Sequence, residues 1–323
     1  MIIDWQHHYL PEDQWLKKGG KAGERTTIFK GGSPRVTLHP ESYQIDKHLE
    51  AMDYAGIDIA VLSKLFLVDD IGIALEECRH WDDAIAAIMR DYPGRFVGLC
   101  PIPPLGGERA FAELERALEL GLRGAHIASQ VNGLTLDSEK LWPFYEKVCS
   151  LDIPIFVHVS GIPAGYDILN APFDLYRSIG REMDLMVATT RIILGGVLEE
   201  FSDLKFVISH MGGGISAIME RIEQFLGLSR VTGSRISKPI KFYFDKLYFD
   251  LAGNGNGMNA VRCALTTMSP NQLVFGTDYP QDFDFVENPK SIKDYVENIK
   301  RLVLDEESKE LILGGNARTL LRL

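Results

Sequence analysis

Short apolar, β-branched runs recur along the chain, each followed by a stretch in which hydrophobic positions return every three to four residues. The runs are Met1–His8, Ile57–Ser63, Phe96–Pro101, Gly124–Ala128, Ile153–Ser160, Lys205–Ser209, Leu247–Leu251 and Leu273–Thr277. Several are almost continuously hydrophobic, the pattern of strands buried on both faces. The clearest helical periods cover Ala74–Tyr92, Glu108–Leu120, Ser138–Leu151 and Ile215–Leu226. Turn chemistry at Tyr54-Ala55-Gly56, Tyr92-Pro93-Gly94, Leu120-Gly121 and Leu151-Asp152-Ile153-Pro154 separates the two patterns. Eight strands alternating with helices predict a parallel sheet, and eight is the number that closes a (β/α)8 barrel of the α/β class. An open, doubly wound sheet is the alternative, but no Gly-rich dinucleotide fingerprint follows the first strand.

Three stretches exceed plain strand–helix units. Pro11–Ser42 is loop-like and follows strand one, Ile162–Leu204 follows strand five and holds more than one helix, and Gly227–Lys246 carries Arg230, Arg235, Lys238 and Lys241. The first two begin at the C-terminal end of a strand, where barrels build active sites and lids, although surface excursions or oligomer contacts have the same signature. No internal repeat or linker interrupts the pattern, so residues 1–323 are expected to form one domain.

Composition narrows the picture modestly. With 46% hydrophobic and 24% charged residues the chain has the makings of an ordinary core. A net charge of −11 argues against a nucleic-acid surface, which needs clustered Lys and Arg. An anionic substrate would need local positive charge from a metal or an Arg. The four cysteines, Cys78, Cys100, Cys149 and Cys263, form no CxxC pair and are expected to be buried thiols rather than ligands. No signal-peptide pattern or membrane-length apolar run is present, so a cytoplasmic protein is expected.

Candidate chemistry gathers at strand ends. In Asp4-Trp5-Gln6-His7-His8, strict alternation puts Asp4, Gln6 and His8 on one face and Trp5 and His7 on the other. His158 sits near the end of strand five, His210 ends strand six and Asp278 ends strand eight. A hydrophobic strand has no structural reason to end in His or Asp. Three histidines and a carboxylate at the C-terminal ends of four strands therefore converge on the barrel mouth, a donor set that suits a divalent transition metal such as zinc or manganese. His126 on strand four either lines the cavity or packs quietly. His39, His48 and His80 are expected to face solvent. Gly212-Gly213-Gly214 opens a helix and either offers backbone N–H groups to an anion or only permits a tight turn. Gly253-Asn254-Gly255-Asn256-Gly257 is a loop placed to border the site.

The sequence resembles the amidohydrolase-related decarboxylases, the group that includes aminocarboxymuconate-semialdehyde, resorcylate and dihydroxybenzoate decarboxylases. The resemblance is carried by Ile3-Asp4 to His8-Tyr9-Leu10-Pro11, Ala51-Met52-Asp53 through Gly56-Ile57, Tyr92-Pro93-Gly94-Arg95-Phe96, Val157-His158, Ser209-His210-Met211-Gly212-Gly213, Gly276-Thr277-Asp278-Tyr279-Pro280 and Leu313-Gly314-Gly315-Asn316-Ala317. It implies one divalent metal per chain, commonly in a homodimer or homotetramer, with ligands at Gln6, His8, His158 and Asp278. It also implies an acid/base role for His210, with Asp278 a second proton carrier, and an Arg near Arg35 that holds a substrate carboxylate. Gln6 departs from the pattern, since the family's first ligand is normally His or Glu, and a neutral amide oxygen binds a transition metal more weakly. The implied reaction is non-oxidative decarboxylation of a hydroxylated aromatic or unsaturated acid. Hydrolysis of a lactone, amide or cyclic diketone uses the same parts, and a metal-free assembly partner is the third reading.

Overall fold

The computed structural model describes residues 1–30, 33–65, 67, 70–159, 168–169, 173, 175–226, 233–253, 255, 257–283 and 285–323, with the side chains of residues 30 and 33–35 also outside the description. The strands are β1 (Ile3–Tyr9), β2 (Ile59–Lys64), β3 (Phe96–Gly98), β4 (Ala125–Ala128), β5 (Pro154–His158), β6 (Lys205–Ile208), β7 (Tyr248–Asp250) and β8 (Leu273–Val274). β1-β2-β3 form one parallel sheet and β4-β5-β6-β7-β8 another. Backbone hydrogen bonds join the two at both seams. Cys100 N–H donates to Gly124 O at 2.8 Å and His126 N–H to Cys100 O at 2.7 Å, bridging β3 to β4. At the other seam Trp5 N–H donates to Phe275 O at 2.8 Å and Asp278 N–H to Gln6 O at 2.9 Å. The strands thus follow one another around a (β/α)8 barrel in chain order.

Inside it lie Ile3, Trp5, Ile59, Val61, Val97, Leu99, Phe156, Val207 and Val274, with Ala317, Leu320 and Leu321 of the C-terminal helix Asn316–Leu321 packed onto them. This is the filled interior that makes such a barrel a core rather than a pore. The helices bury their inner faces against the outside of the strands. The longest, Ile71–Asp91, starts where the Asp70 carboxylate accepts the Ile73 N–H at 2.9 Å, and it buries Leu75, Cys78, Asp82 and Ile85 at helical spacing. Among the described residues no helix is long and apolar enough to cross a membrane.

Strict alternation fails in β1. That strand advances from Asp4 to His7 while β2 advances only from Ala60 to Leu62. The extra residue is a β-bulge, and it reverses the facing of everything before it. Trp5 therefore points inward, edge-on to Phe156 at 6.4 Å, while Gln6 and His8 keep the inward aim expected of them. Asp4 turns outward, where it accepts from Thr277 N–H at 2.9 Å and lies 2.8 Å from His7 Nδ1.

Other expectations also change. Pro11–Ser42 is no plain loop: it holds the helix Glu12–Lys17 and an antiparallel hairpin of Thr26–Lys30 with Ser33–Leu38. His39 and His48 are buried, whereas His80 is exposed. His48 lies 2.7 Å from Glu41 O and packs against His7 and Tyr279, and burial holds its imidazole well below its ordinary range. Cys149 and Cys263 are only half-buried.

Trp5→Ala should cost about 3–5 kcal/mol, since a large ring is removed from a filled interior. Val303→Ala, at a fully exposed position, should stay within about 0.5 kcal/mol of wild type. Chemical denaturation of the two variants checks the contrast.

Candidate active site

The polar strand endings meet above the interior layer. β1 delivers Gln6 and His8, β5 delivers His158, and the turns after β6 and β8 deliver His210 and Asp278. Both turns bend the backbone into the left-handed region, with φ of +52° at His210, +53° at Met211 and +58° at Asp278. Side chains other than Gly seldom adopt it, and such positions concentrate at functional sites. The left-handed run continues through Gly212-Gly213-Gly214, so the triple glycine forms a tight left-handed turn. A Cβ on Gly213 would collide with the Glu182 carbonyl. Gly253 lies against the His210 ring, where a Cβ would collide with it.

His8 Nε2 lies 2.7 Å from Asp278 Oδ1, without the alignment of a hydrogen bond. His8 Nδ1 lies 3.0 Å from Ser63 Oγ, a partner that leaves Nε2 facing the site. The His158 ring is 4.7 Å from His8 and 5.7 Å from His210. The ligand-type atoms of His8, His158 and Asp278 all fall within 4.8 Å of one another. His158 Nε2 and Gln6 Oε1 are buried and make no hydrogen bond. Buried polar atoms are rarely left so, and a cation between them would satisfy both. Two imidazoles and a carboxylate suit a divalent transition metal. Burial, with the charges of His8 and His210, holds His158 well below its ordinary range, in the neutral form that a ligand must have.

His210 is positioned differently. Its backbone N–H donates to Asp250 Oδ1 at 2.8 Å, its Nδ1 lies 2.9 Å from Glu182 Oε1, and its Nε2 is 3.9 Å from Asp278 Oδ2. Burial opposes charge on this ring, but Glu182, Asp278 and Asp250 outweigh it and push the imidazole up to about 10. Gln6 Nε2 donates to Asp278 Oδ1 at 2.8 Å and lies 3.1 Å from His210 Nε2. A neutral His210 with its proton on Nδ1 accepts from that amide nitrogen, whereas the imidazolium calls for the amide oxygen in its place. Burial works against the Asp278 charge, yet His8, His210 and Gln6 hold its carboxyl below the usual range.

These groups open onto a cavity of about 580 Å³, whose wall includes His8, His158, His210, Asp278, Gly253 and Gln130, a size suited to a small organic ligand. Arg25, Arg177 and Arg181 also line it. Arg177 and Arg181 come from the long segment after β5 and bring positive charge to the cavity wall. Arg35 lies on the second hairpin strand, but its side chain falls outside the described residues. His126 is fully buried, 5.9 Å ring to ring from His158, and is not among the residues lining this cavity. Sequence reasoning passed over Ser63, Glu182, Asp250 and the two arginines. Ser63 and Asp250 did carry a signal, each as a polar residue at the end of a hydrophobic strand.

The chain belongs to the Amidohydrolase family, which it matches over residues 3–323. Among curated relatives it is 30% identical to the 2-amino-3-carboxymuconate-6-semialdehyde decarboxylase of Dictyostelium discoideum, over 99% of this chain and 91% of that one. It is 28% identical to a gamma-resorcylate decarboxylase of Polaromonas sp., over 86% and 87% of the two chains. Its fold is similar to that of a dihydroxybenzoic acid decarboxylase from Polaromonas sp., solved with manganese and the inhibitor 2-nitroresorcinol, at a TM-score of 0.77, 23% identity and coverage of 100% and 97%.

Glu182→Gln removes the carboxylate that favours charge on His210. In metal-free protein the His210 titration, read by NMR of labelled histidine, should move down from about 10, because loss of a negative partner disfavours the protonated form.

Proposed function

We propose that the protein is a metal-dependent decarboxylase that removes carbon dioxide, without oxidation, from a hydroxylated aromatic or unsaturated carboxylic acid. The observation that carries this reading is the convergence of His8, His158 and Asp278, with His210 beside them, on one cavity of a chain belonging to a family whose relatives decarboxylate such acids. His8, His158 and Asp278 would hold one divalent cation, manganese or zinc, with Gln6 Oε1 as a neutral fourth donor. Bound there, the cation supplies positive charge to the substrate's oxygens as negative charge builds on them.

The chain's own residues do the rest. Arg177 and Arg181, assisted by Arg25, orient the carboxylate toward the barrel mouth. The C–C bond to the carboxylate breaks, carbon dioxide leaves, and the electron pair left on carbon takes a proton. His210 Nε2 delivers that proton, with Asp250 holding its backbone N–H and Glu182 its Nδ1 so that Nε2 faces the cavity. Asp278 is the second proton carrier within reach. One domain suffices for this chemistry, and we place the protein in the cytoplasm. Ile179, Met183 and Val187, about half exposed and one turn apart, support a homodimer or homotetramer.

His158→Ala should lose most of the metal bound at this centre, as measured by elemental analysis, while the fold survives. His210→Asn should keep the metal and lower kcat by roughly 100-fold or more. Turnover of hydroxybenzoates and related acids in heavy water should place one deuterium on the carbon that lost its carboxylate and release carbon dioxide. Solvent oxygen in the product with no gas released would replace this reading by hydrolysis.

A further inference from the structure

Outside the barrel wall, two cysteines and a carboxylate meet in a second cluster. Cys78 and Asp82 stand one turn apart on the helix Ile71–Asp91 and share its inner face. Cys100, just beyond β3, packs against that face. The Sγ atoms of Cys78 and Cys100 are 3.6 Å apart, and each lies 3.4 Å from Asp82 Oδ2. Asp82 and Cys100 are 0% exposed and Cys78 1%, so water solvates none of them. Asp82 Oδ1 makes no hydrogen bond. Burial pushes the Asp82 carboxyl well above its ordinary range; the thiols counter this in part and the neighbouring Glu113 carboxylate adds to it.

An ion with tetrahedral ligands, sulfur at about 2.3 Å and oxygen at about 2.0 Å, spaces two sulfurs about 3.8 Å apart and a sulfur about 3.5 Å from an oxygen. The three edges here agree with those lengths to about 0.2 Å. Thiols hydrogen-bonded to a neutral Asp82 carboxyl, which in turn shares its proton with Glu113, would fill the same space, but thiols are weak donors.

We propose that Cys78, Cys100 and Asp82 form a second metal site, structural and selective for a thiophilic divalent ion such as zinc. Thiolate ligands favour zinc over manganese, so the two centres of the chain differ in the ion they retain. Asp82 Oδ1 and Glu113, which Arg116 holds through Nε at 3.0 Å from each carboxylate oxygen, are the oxygens at hand for a fourth position. The site would tie the helix Ile71–Asp91 to the β3–β4 seam, because Cys100 O accepts the His126 N–H there.

Elemental analysis of the purified protein should find a zinc that stays bound when manganese is exchanged into the histidine centre. His158→Ala should keep that zinc. After cobalt loading, wild type and His158→Ala should both show a thiolate-to-cobalt charge-transfer band that Cys100→Ser lacks. Should Cys100→Ser fail to fold, the band in wild type still decides, since the histidine centre offers no thiolate; this readout also stands or falls apart from the decarboxylase reading. A folded, cobalt-loaded wild-type protein without the band would overturn the proposal. So would an intact mass two hydrogens light with Cys78 and Cys100 joined as a disulfide.

Discussion

Backbone hydrogen bonds between β1 and the segment that follows β8 hold the first and last site residues in one place. Asp278 N–H donates to Gln6 O, and His8 N–H donates to Tyr279 O at 2.7 Å. These bonds complete the ring of strands, and they also set the His8 and Asp278 side chains 2.7 Å apart. Closure of the fold and assembly of the donor set are therefore one event. The remaining site groups take their positions from it: His158 from the strand across the barrel, and His210 from a left-handed turn that only a run of glycines can continue.

Two kinds of polar group share this centre, equally buried, and the charges around them separate them. His158 is surrounded by other imidazoles and stays neutral. His210 sits among carboxylates, which favour its charge despite burial. The same ring thus has opposite electrostatics at two points less than 6 Å apart, disfavouring charge beside imidazoles and favouring it beside carboxylates. Gln6 stands between the two roles, with an amide that faces Asp278 on one side and His210 on the other. A histidine or glutamate in its place would add basicity or charge to the centre; the amide adds neither.

Much of this was legible in the chain, because hydrophobic strands that end in His or Asp leave a mark in one dimension. The alternation of strands and helices was legible for the same reason. What stayed hidden depends on pairing. The bulge in β1 shows itself only against β2, so Asp4 and Trp5 were assigned to the wrong faces. His48 is buried with Ala51 and Met52, a turn further along the same helix, and that spacing was a readable signal that went unused. Glu182 and Arg181 lie on a helix whose placement over the cavity no periodicity announces. Cys78 and Cys100 meet only when a helix folds back on a strand, so their separation in sequence concealed their contact.

The seam between β1 and β8 also bears on how the protein is made. Of the three, His8 emerges from the ribosome before His158, and His158 well before Asp278. No nascent chain short of β8 possesses all three donors, and none can close the ring that aligns them. The histidine cluster therefore assembles only after β8 has been made, whereas Cys78, Asp82 and Cys100 have all been synthesised by residue 100.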